Sequence, residues 1–160
     1  MKEVADYLRQ TIKEVGPSLR AISEEEASSK PQPHKWSKKE ILGHLIDSAS
    51  NNQHKFVRAM AQSHLDFVGY AQDSWVSEQK YNATNWQELI TFWFAYNSHI
   101  AHIIEHVNPA YLANTITIEG NSLYNLQFIM EDYVEHLKHH LKAILPDNNI
   151  QSKFANIYNV

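Results

Sequence analysis

The 160-residue sequence predicts an all-α protein, a four-helix bundle, from three observations. Only four glycines and five prolines interrupt the chain, so long uninterrupted elements are expected. Four segments repeat apolar residues at the spacing of an amphipathic helix, and four such helices in one domain favour a bundle. A long connection separates the second and third helices, and a short extended segment precedes the fourth.

The first helix is predicted over residues 3–26. One side of it is apolar, with Val4, Leu8, Val15, Leu19 and Ile22. Gly16-Pro17 predicts a kink or a break, because proline removes a helical hydrogen bond. Two further prolines, at positions 31 and 33, place a loop over residues 28–35.

The second helix has a clear start, because Ser37 and Glu40 fit a capping box. Its apolar spacing continues to about Met60. A connection over residues 62–85 follows. This connection contains three aromatic residues and one acidic residue: Tyr70, Asp73, Trp75 and Tyr81. Such a long connection in a small domain is usually functional or packed over the core.

The third helix is predicted over residues 85–107, and Asn108-Pro109 ends it. Alternating Thr and Ile at 115–118 predict a short strand, and residues 119–121 a turn. The fourth helix is expected from near Ser122 to Leu145, closed by Pro146.

Residues 1–146 would thus form a single domain, followed by a polar tail at 147–160. The tail carries three large apolar or aromatic side chains, Phe154, Ile157 and Tyr158. Because these side chains favour burial, we expect the tail to dock on the bundle or on a partner.

Composition excludes several classes of function. A formal net charge of −4 argues against a nucleic-acid binder. No apolar run is long enough for a membrane span, and the first residues do not resemble a signal peptide, so we expect a cytoplasmic protein without a membrane partner. The absence of cysteine excludes disulfides, iron–sulfur clusters, thiolate metal sites and cysteine nucleophiles. Ten histidines are the feature that points to chemistry.

Two histidines of the fourth helix lie beside its core stripe. With Leu126 at 0°, His136 falls at about 280° and His140 at about 320°, whereas His139 falls at about 220°, toward the polar face. Two histidines four residues apart can bind one metal ion. The alternative, that they merely flank the core and bond to neighbours, stays open because such pairs are common. No glutamate follows His136, so the pair is not the zincin motif.

Candidate partners lie on the second and third helices. His44 flanks the apolar stripe of the second helix, with Ser48, Asn51 and Asn52 along the same edge. This polar strip predicts either a pocket wall or a plain solvated edge. Asn97 falls inside the apolar stripe of the third helix and either braces the core or faces a polar cavity, of which we favour the cavity. The remaining histidines are interpreted as surface or loop residues: His34, His54, His64, His99, His102 and His106.

The chain resembles the DinB/YfiT-like superfamily over essentially residues 1–146. The resemblance is carried by three groups of residues. The second helix contributes Trp36-Ser37, Gly43-His44-Leu45-Ile46-Asp47-Ser48, Asn51-Asn52 and Phe56. The fourth contributes Ser122-Leu123, Asp132-Tyr133 and His136-Leu137-Lys138-His139-His140. Tyr70, Gln72-Asp73 and Trp75 are similar to the connecting segment. The tail after Pro146 has no counterpart in the resemblance.

The resemblance implies a bundle, often dimeric, in which three histidines hold a divalent ion, nickel or zinc. Carried over residue by residue, the ligands would be His44, His136 and His140. A ligating imidazole usually donates its second N–H to an acceptor, and Asp47 and Asp132 are the candidates. We further expect three polar groups in the pocket: Ser48, Asn52 and Asn97.

The function implied is that of a divalent-metal-dependent enzyme acting on a small molecule. Water or a thiol activated by the ion would attack the substrate, which makes the protein a hydrolase or a thiol S-transferase with a stress or detoxification role. A low-molecular-weight thiol would then be a co-substrate. Two alternatives are a metal-binding but non-catalytic interaction module and a bundle whose histidines are purely structural.

Overall fold

The computed structural model describes residues 1–120 and 123–155. Its helices are α1 (Lys2–Ala21), α2 (Glu24–Ser28), α3 (Lys38–Met60), α4 (Gln72–Glu78), α5 (Trp86–Glu105) and α6 (Leu126–Ile144). Its strands are β1 (His64–Phe67), β2 (Thr115–Ile118) and β3 (Leu123–Asn125). The long helices α1, α3, α5 and α6 form the bundle, in which α1 and α3 each pack against both α5 and α6. The predicted four-helix bundle is confirmed.

The core lies between the apolar faces of these helices. Trp86, Trp93 and Phe56 are its largest fully buried side chains. The indole of Trp86 also donates a hydrogen bond to the carbonyl of Leu19 at 2.9 Å, which ties α5 to the end of α1. The capping box predicted for α3 is confirmed, since Ser37 and Glu40 each accept a hydrogen bond from the other's main-chain N–H.

The first predicted helix is divided, and the break lies at a different position from the expected one. Helix α1 runs through Gly16-Pro17 and ends at Ala21, and α2 begins after a new cap at Ser23. Pro17 is exposed, so its missing hydrogen bond falls on the solvent side, where water can replace it. Gly16 carries no Cβ that could meet the proline ring. Ile22 is extended, and this conformation ends α1.

A small sheet corrects the all-α prediction. The single strand predicted at 115–118 is the central strand β2, which pairs parallel to β1 and antiparallel to β3. Strand β1 lies within the long connection, which the sequence did not resolve into elements. An isolated strand would leave its backbone groups unpaired, so β2 requires partners from distant parts of the chain.

The fourth predicted helix begins later than expected. Residues 123–125 form β3, and α6 starts at Leu126, where the Asn125 side chain accepts a hydrogen bond from the N–H of Phe128 at 2.8 Å. The expected helix start at Ser122 and the end of the predicted turn at Asn121 lie outside the described residues, as do Ile157 and Tyr158 of the tail. None of the helices in the described part of the chain combines the length and apolarity needed to cross a membrane.

Candidate metal centre

Helices α3 and α6 bring three histidines together. His44 is fully buried on α3, and His136 and His140 are half-buried one turn apart on α6. The Nε2 atom of His136 lies 3.4 Å from that of His44 and 3.1 Å from that of His140. Each of the three residues offers a ring nitrogen within 4.8 Å of the other two. Among the described residues, this is the one group of three or more His, Asp or Glu side chains close enough to hold a metal ion.

The separations of the ring nitrogens suit a common metal ion. Nitrogens bound at ~2.0–2.1 Å in a tetrahedral site lie about 3.3 Å apart. The two measured separations, 3.4 and 3.1 Å, bracket this value. Each neutral imidazole carries a single N–H, so hydrogen bonds among three converging ring nitrogens cannot satisfy all of them. A cation at that point satisfies all three lone pairs, so the donor set fits a divalent ion.

Burial keeps the three imidazoles neutral. It lowers the pKa of His44 to about 4 and that of His140 to about 3, the latter with a smaller contribution from the neighbouring His44 and His139. Burial also lowers the pKa of His136, with smaller contributions from His140, His44, His139 and Lys55. A neutral imidazole is the form that binds a metal, so the cluster is ready to bind well below the usual pKa of histidine.

Surrounding side chains hold the imidazole rings in place. The ring of Trp36 packs on His44 with the centroids 5.1 Å apart. The Ser48 hydroxyl lies 3.4 Å from Nδ1 of His136, a polar contact on the side of the ring away from the cluster. The buried Nδ1 of His44 has no hydrogen-bond partner among the described residues. His44 therefore has its Nε2 turned to the cluster, while its Nδ1 receives no hydrogen bond from the part of the chain that the structure describes.

Asp47 does not supply that missing partner. One of its carboxylate oxygens accepts hydrogen bonds from the Tyr81 hydroxyl at 2.6 Å and from the Gln79 amide at 2.8 Å. Its second oxygen is buried without a partner among the described residues, and burial raises the pKa of the carboxyl group. Asp47 thus anchors the long connection to α3, whereas the sequence suggested a bond to His44.

A cavity of about 340 Å³ opens at the three histidines. Helix α3 contributes Ser48, Asn52 and Lys55 to its wall, and α6 contributes Asp132, Tyr133 and His139. The sheet adds Phe67 and Ile118, which are neighbours across β1 and β2, the connection adds Gly69, Tyr70 and Gln72, and the tail adds Phe154. Of the polar residues expected in the pocket, Ser48, Asn52 and Asp132 line this cavity.

Asn97 lies in the core rather than on the cavity wall. Its side chain is fully buried, accepts a hydrogen bond from the Tyr133 hydroxyl at 2.6 Å and donates to the Trp93 carbonyl at 2.9 Å. The favoured expectation placed it at the cavity, and the structure shows the alternative of a core brace. Because Tyr133 lines the cavity, Asn97 acts on that wall indirectly.

Sequence reasoning does not assign Lys55 or Phe154 to the cavity, although it predicts that the tail with Phe154 docks on the bundle or on a partner. Lys55 follows His44 by eleven residues and lies on the same face of α3 as Ser48 and Asn52, so helical spacing could have found it. Phe154 reaches the cavity because the tail folds back along α6, where Ser152 and the N–H of Lys153 bond to Glu135. Its ring packs against His136 with the centroids 5.0 Å apart. No local pattern predicts this return of the chain.

Comparisons with known proteins were made for the sequence and for the fold. Residues 3–144 match the model of the DinB superfamily. The solved structure of YfiT from Bacillus subtilis, described as a probable metal-dependent hydrolase with an unusual four-helix bundle topology, superposes with a TM-score of 0.77 and 15% sequence identity. The match covers 91% of this chain and 86% of that chain. Among curated proteins, no significant match was found.

Proposed function

Since the chain belongs to the DinB superfamily, we propose that it is a divalent-metal-dependent enzyme whose ion is bound by His44, His136 and His140. The observation that carries this proposal is the convergence of three neutral imidazoles, with Nε2 of His136 at 3.4 Å from that of His44 and 3.1 Å from that of His140, close to the separation expected around one ion. The ion itself would be nickel or zinc, both of which accept imidazole nitrogen ligands. The description of YfiT as a probable metal-dependent hydrolase supports the same class of activity.

A divalent ion bound by three neutral ligands keeps its full charge and supplies Lewis-acid chemistry that activates water or a thiol. The protein's own residues supply the surroundings. Ser48 contacts His136, and Trp36 packs on His44, so both rings are oriented before an ion binds. Phe67, Ile118 and Phe154 give the cavity apolar walls that exclude bulk water.

The cavity size limits the substrate to a small molecule. A volume of about 340 Å³ accommodates a compact organic compound and not a protein chain. The convergence of three imidazole nitrogens in this cavity favours activation of an external nucleophile by a bound ion. We therefore propose two reactions at this site, hydrolysis by water and S-transfer by a low-molecular-weight thiol. The thiol would come from outside, because the chain contains no cysteine.

The metal proposal is tested by elemental analysis of untagged protein that has not been exposed to a chelator. We expect near one nickel or zinc ion per chain in the wild type and a loss of at least tenfold in His44→Ala, His136→Ala and His140→Ala. His139→Ala is the matched control, because His139 lies beside the cluster without belonging to it. Wild-type protein that stays metal-free after addition of nickel or zinc would contradict the proposal, as would equal losses in all four variants.

The reaction is tested on the loaded protein with two substrate panels, small esters and amides without thiol, and electrophilic compounds with added thiol. Turnover of the first panel supports hydrolysis, and thiol-dependent turnover of the second supports S-transfer. In each case, activity should disappear in His136→Ala and persist in His139→Ala. A loaded protein that turns over neither panel would favour the alternative of a metal-binding interaction module.

A further inference from the structure

Lys55 places a cation in the wall of the cavity that holds the three histidines, and its charge contributes to lowering the pKa of His136. His44, Ser48, Asn52 and Lys55 follow one another along one face of α3, and all four line the cavity. The backbone positions of His44 and Lys55 are about 16 Å apart along the helix, since each residue adds ~1.5 Å. Along α3, this wall of the cavity therefore begins at a histidine of the cluster and ends at Lys55, with Ser48 and Asn52 between them.

The ammonium group of Lys55 lies near an aromatic ring, an amide oxygen and an acidic side chain. Its Nζ lies 5.1 Å from the centre of the Phe67 ring and 3.5 Å from the amide oxygen of Asn52, the limit of a hydrogen bond. Asp132 is the acidic side chain whose charge favours the protonated lysine. Burial acts in the opposite direction and lowers the pKa of Lys55 to about 8. An ammonium group carries three N–H donors, so Lys55 can bind an anion from outside in addition to its contact with Asn52.

The charge of the cavity supports the same conclusion. Its three central imidazoles are neutral, and the charged side chains in its described wall are Lys55 and Asp132, whose charges cancel. A divalent ion on the histidines would leave the cavity with an excess of two positive charges. Apolar walls with a low dielectric constant strengthen the attraction of such a cavity for anions. Phe67 and Ile118 line the same cavity and offer contact to a hydrocarbon chain.

We propose that Lys55 binds a carboxylate of the substrate while the reacting end of the same molecule lies at the three histidines. The substrate class is then a small organic acid in which an apolar stretch separates the carboxylate from the reacting group. This inference rests on the proposed function, because it takes the histidine cluster as the reacting end. Lys55 serves as a binding and specificity-determining residue, with no proton transfer assigned to it.

The experiment measures binding of paired probes to cobalt-loaded protein. The probes are ω-mercaptocarboxylates with two to six methylene groups and the ω-mercaptoalcohols of the same lengths, and the visible spectrum of cobalt reports binding of sulfur. We expect the wild type to bind the acid at least tenfold more tightly than the alcohol at one or more chain lengths. In Lys55→Gln, the ratio should fall to within twofold of unity, and Lys55→Arg should restore part of it.

The control variant is Lys142→Gln, which removes an exposed lysine of α6 that does not line the cavity. It should keep the preference of the wild type for the acid. Equal binding of acid and alcohol at every length in the wild type would overturn the inference. A preference that survives in Lys55→Gln would overturn it as well.

A metal-free arm separates this inference from the proposed function. Calorimetry compares hexanoate with hexanol on protein without metal, in which Lys55 still lines the cavity. We expect wild-type protein to bind hexanoate more tightly than Lys55→Gln does, and hexanol equally in both. A protein that fails to bind cobalt but shows this difference contradicts the three-histidine proposal and supports the anion site. A protein that binds cobalt but shows no acid preference supports the metal site and overturns the role of Lys55.

Discussion

At the scale of single residues, burial determines the state of the three histidines. An exposed histidine has a pKa near 6.5, so an exposed cluster would be protonated in mild acid and would repel a cation. Burial disfavours the charged form of an imidazole, and this lowers the pKa of His44 to about 4 and of His140 to about 3. The same burial that makes the cluster suitable for a metal therefore makes the metal-free protein sensitive to acid.

We expect the metal-free protein to lose stability as the pH falls from 6.5 toward 4. In this range, the unfolded chain takes up protons at these histidines, near pKa 6.5, whereas the folded protein does not, so the free energy of unfolding decreases with falling pH. Each buried histidine contributes up to about 1.4 kcal/mol per pH unit. Urea unfolding of metal-free protein at pH 6.0 and 5.0 measures the decrease, and His136→Gln should reduce it.

The matched control for this measurement is His54→Gln, because His54 is exposed on the same helix that carries His44. It should leave the pH dependence of the wild type unchanged. If His136→Gln and His54→Gln behave alike, burial of the cluster is not the cause of the acid sensitivity.

At the scale of elements, a close contact beside the histidine cluster packs the long connection onto α3. A Cβ added at Gly43 would lie 2.2 Å from the ring of Tyr81, far inside van der Waals distance. Gly43 therefore lets the Tyr81 ring lie directly on the helix, where its hydroxyl reaches Asp47. This contact explains the glycine before His44, because the missing side chain allows the long connection to pack beside that histidine.

Gly43→Ala should destabilise the protein by about 1–3 kcal/mol, because the added methyl group forces the Tyr81 ring away from α3. The midpoint of urea unfolding measures the loss. A double-mutant cycle supplies the control: in a Tyr81→Ala background, the obstructing ring is absent, and Gly43→Ala should cost much less. Equal costs in both backgrounds would show that the contact with Tyr81 is not responsible.

At the scale of the whole molecule, the cavity is assembled from α3, α6, the sheet, the long connection and the tail. Helices α3 and α6 supply the polar residues, the sheet supplies Phe67 and Ile118, and the tail supplies Phe154. The tail is held by Asn148, which donates to Ser18 of α1, and by the bonds of Ser152 and Lys153 to Glu135. Residues beyond the match to the family model thus complete the wall beside His136.

We expect Phe154→Ala to release the metal faster than the wild type does, because the ring that packs on His136 and His139 is removed. Transfer of the ion to a coloured chelator measures the rate, and an increase of at least fivefold is expected without loss of stoichiometry. Lys153→Ala is the control, since Lys153 is exposed and contacts Glu135 through its main-chain N–H. Equal release rates in both variants and the wild type would show that Phe154 does not cover the site.

Local sequence patterns are sufficient to predict the long helices and the faces they present. Helical periodicity and capping depend on residues three or four positions apart, so Ser37 and Glu40 predict the start of α3 and the spacing of His136 and His140 predicts a shared face. The same reasoning placed His139 toward the polar face, and its side chain is exposed in the structure. The inward or outward direction of a side chain on a helix is a local property.

Which of these faces meet depends on the packing of the whole chain. The distance between His44 and His136 depends on the packing of α3 against α6. Geometry on a single helix therefore cannot show whether His44 belongs to a metal site. The pairing of β1 with β2, the bond from Tyr81 to Asp47 and the approach of Phe154 to His136 join residues far apart in the chain. Contacts of this kind follow from the global packing of the apolar faces, which no short stretch of sequence encodes.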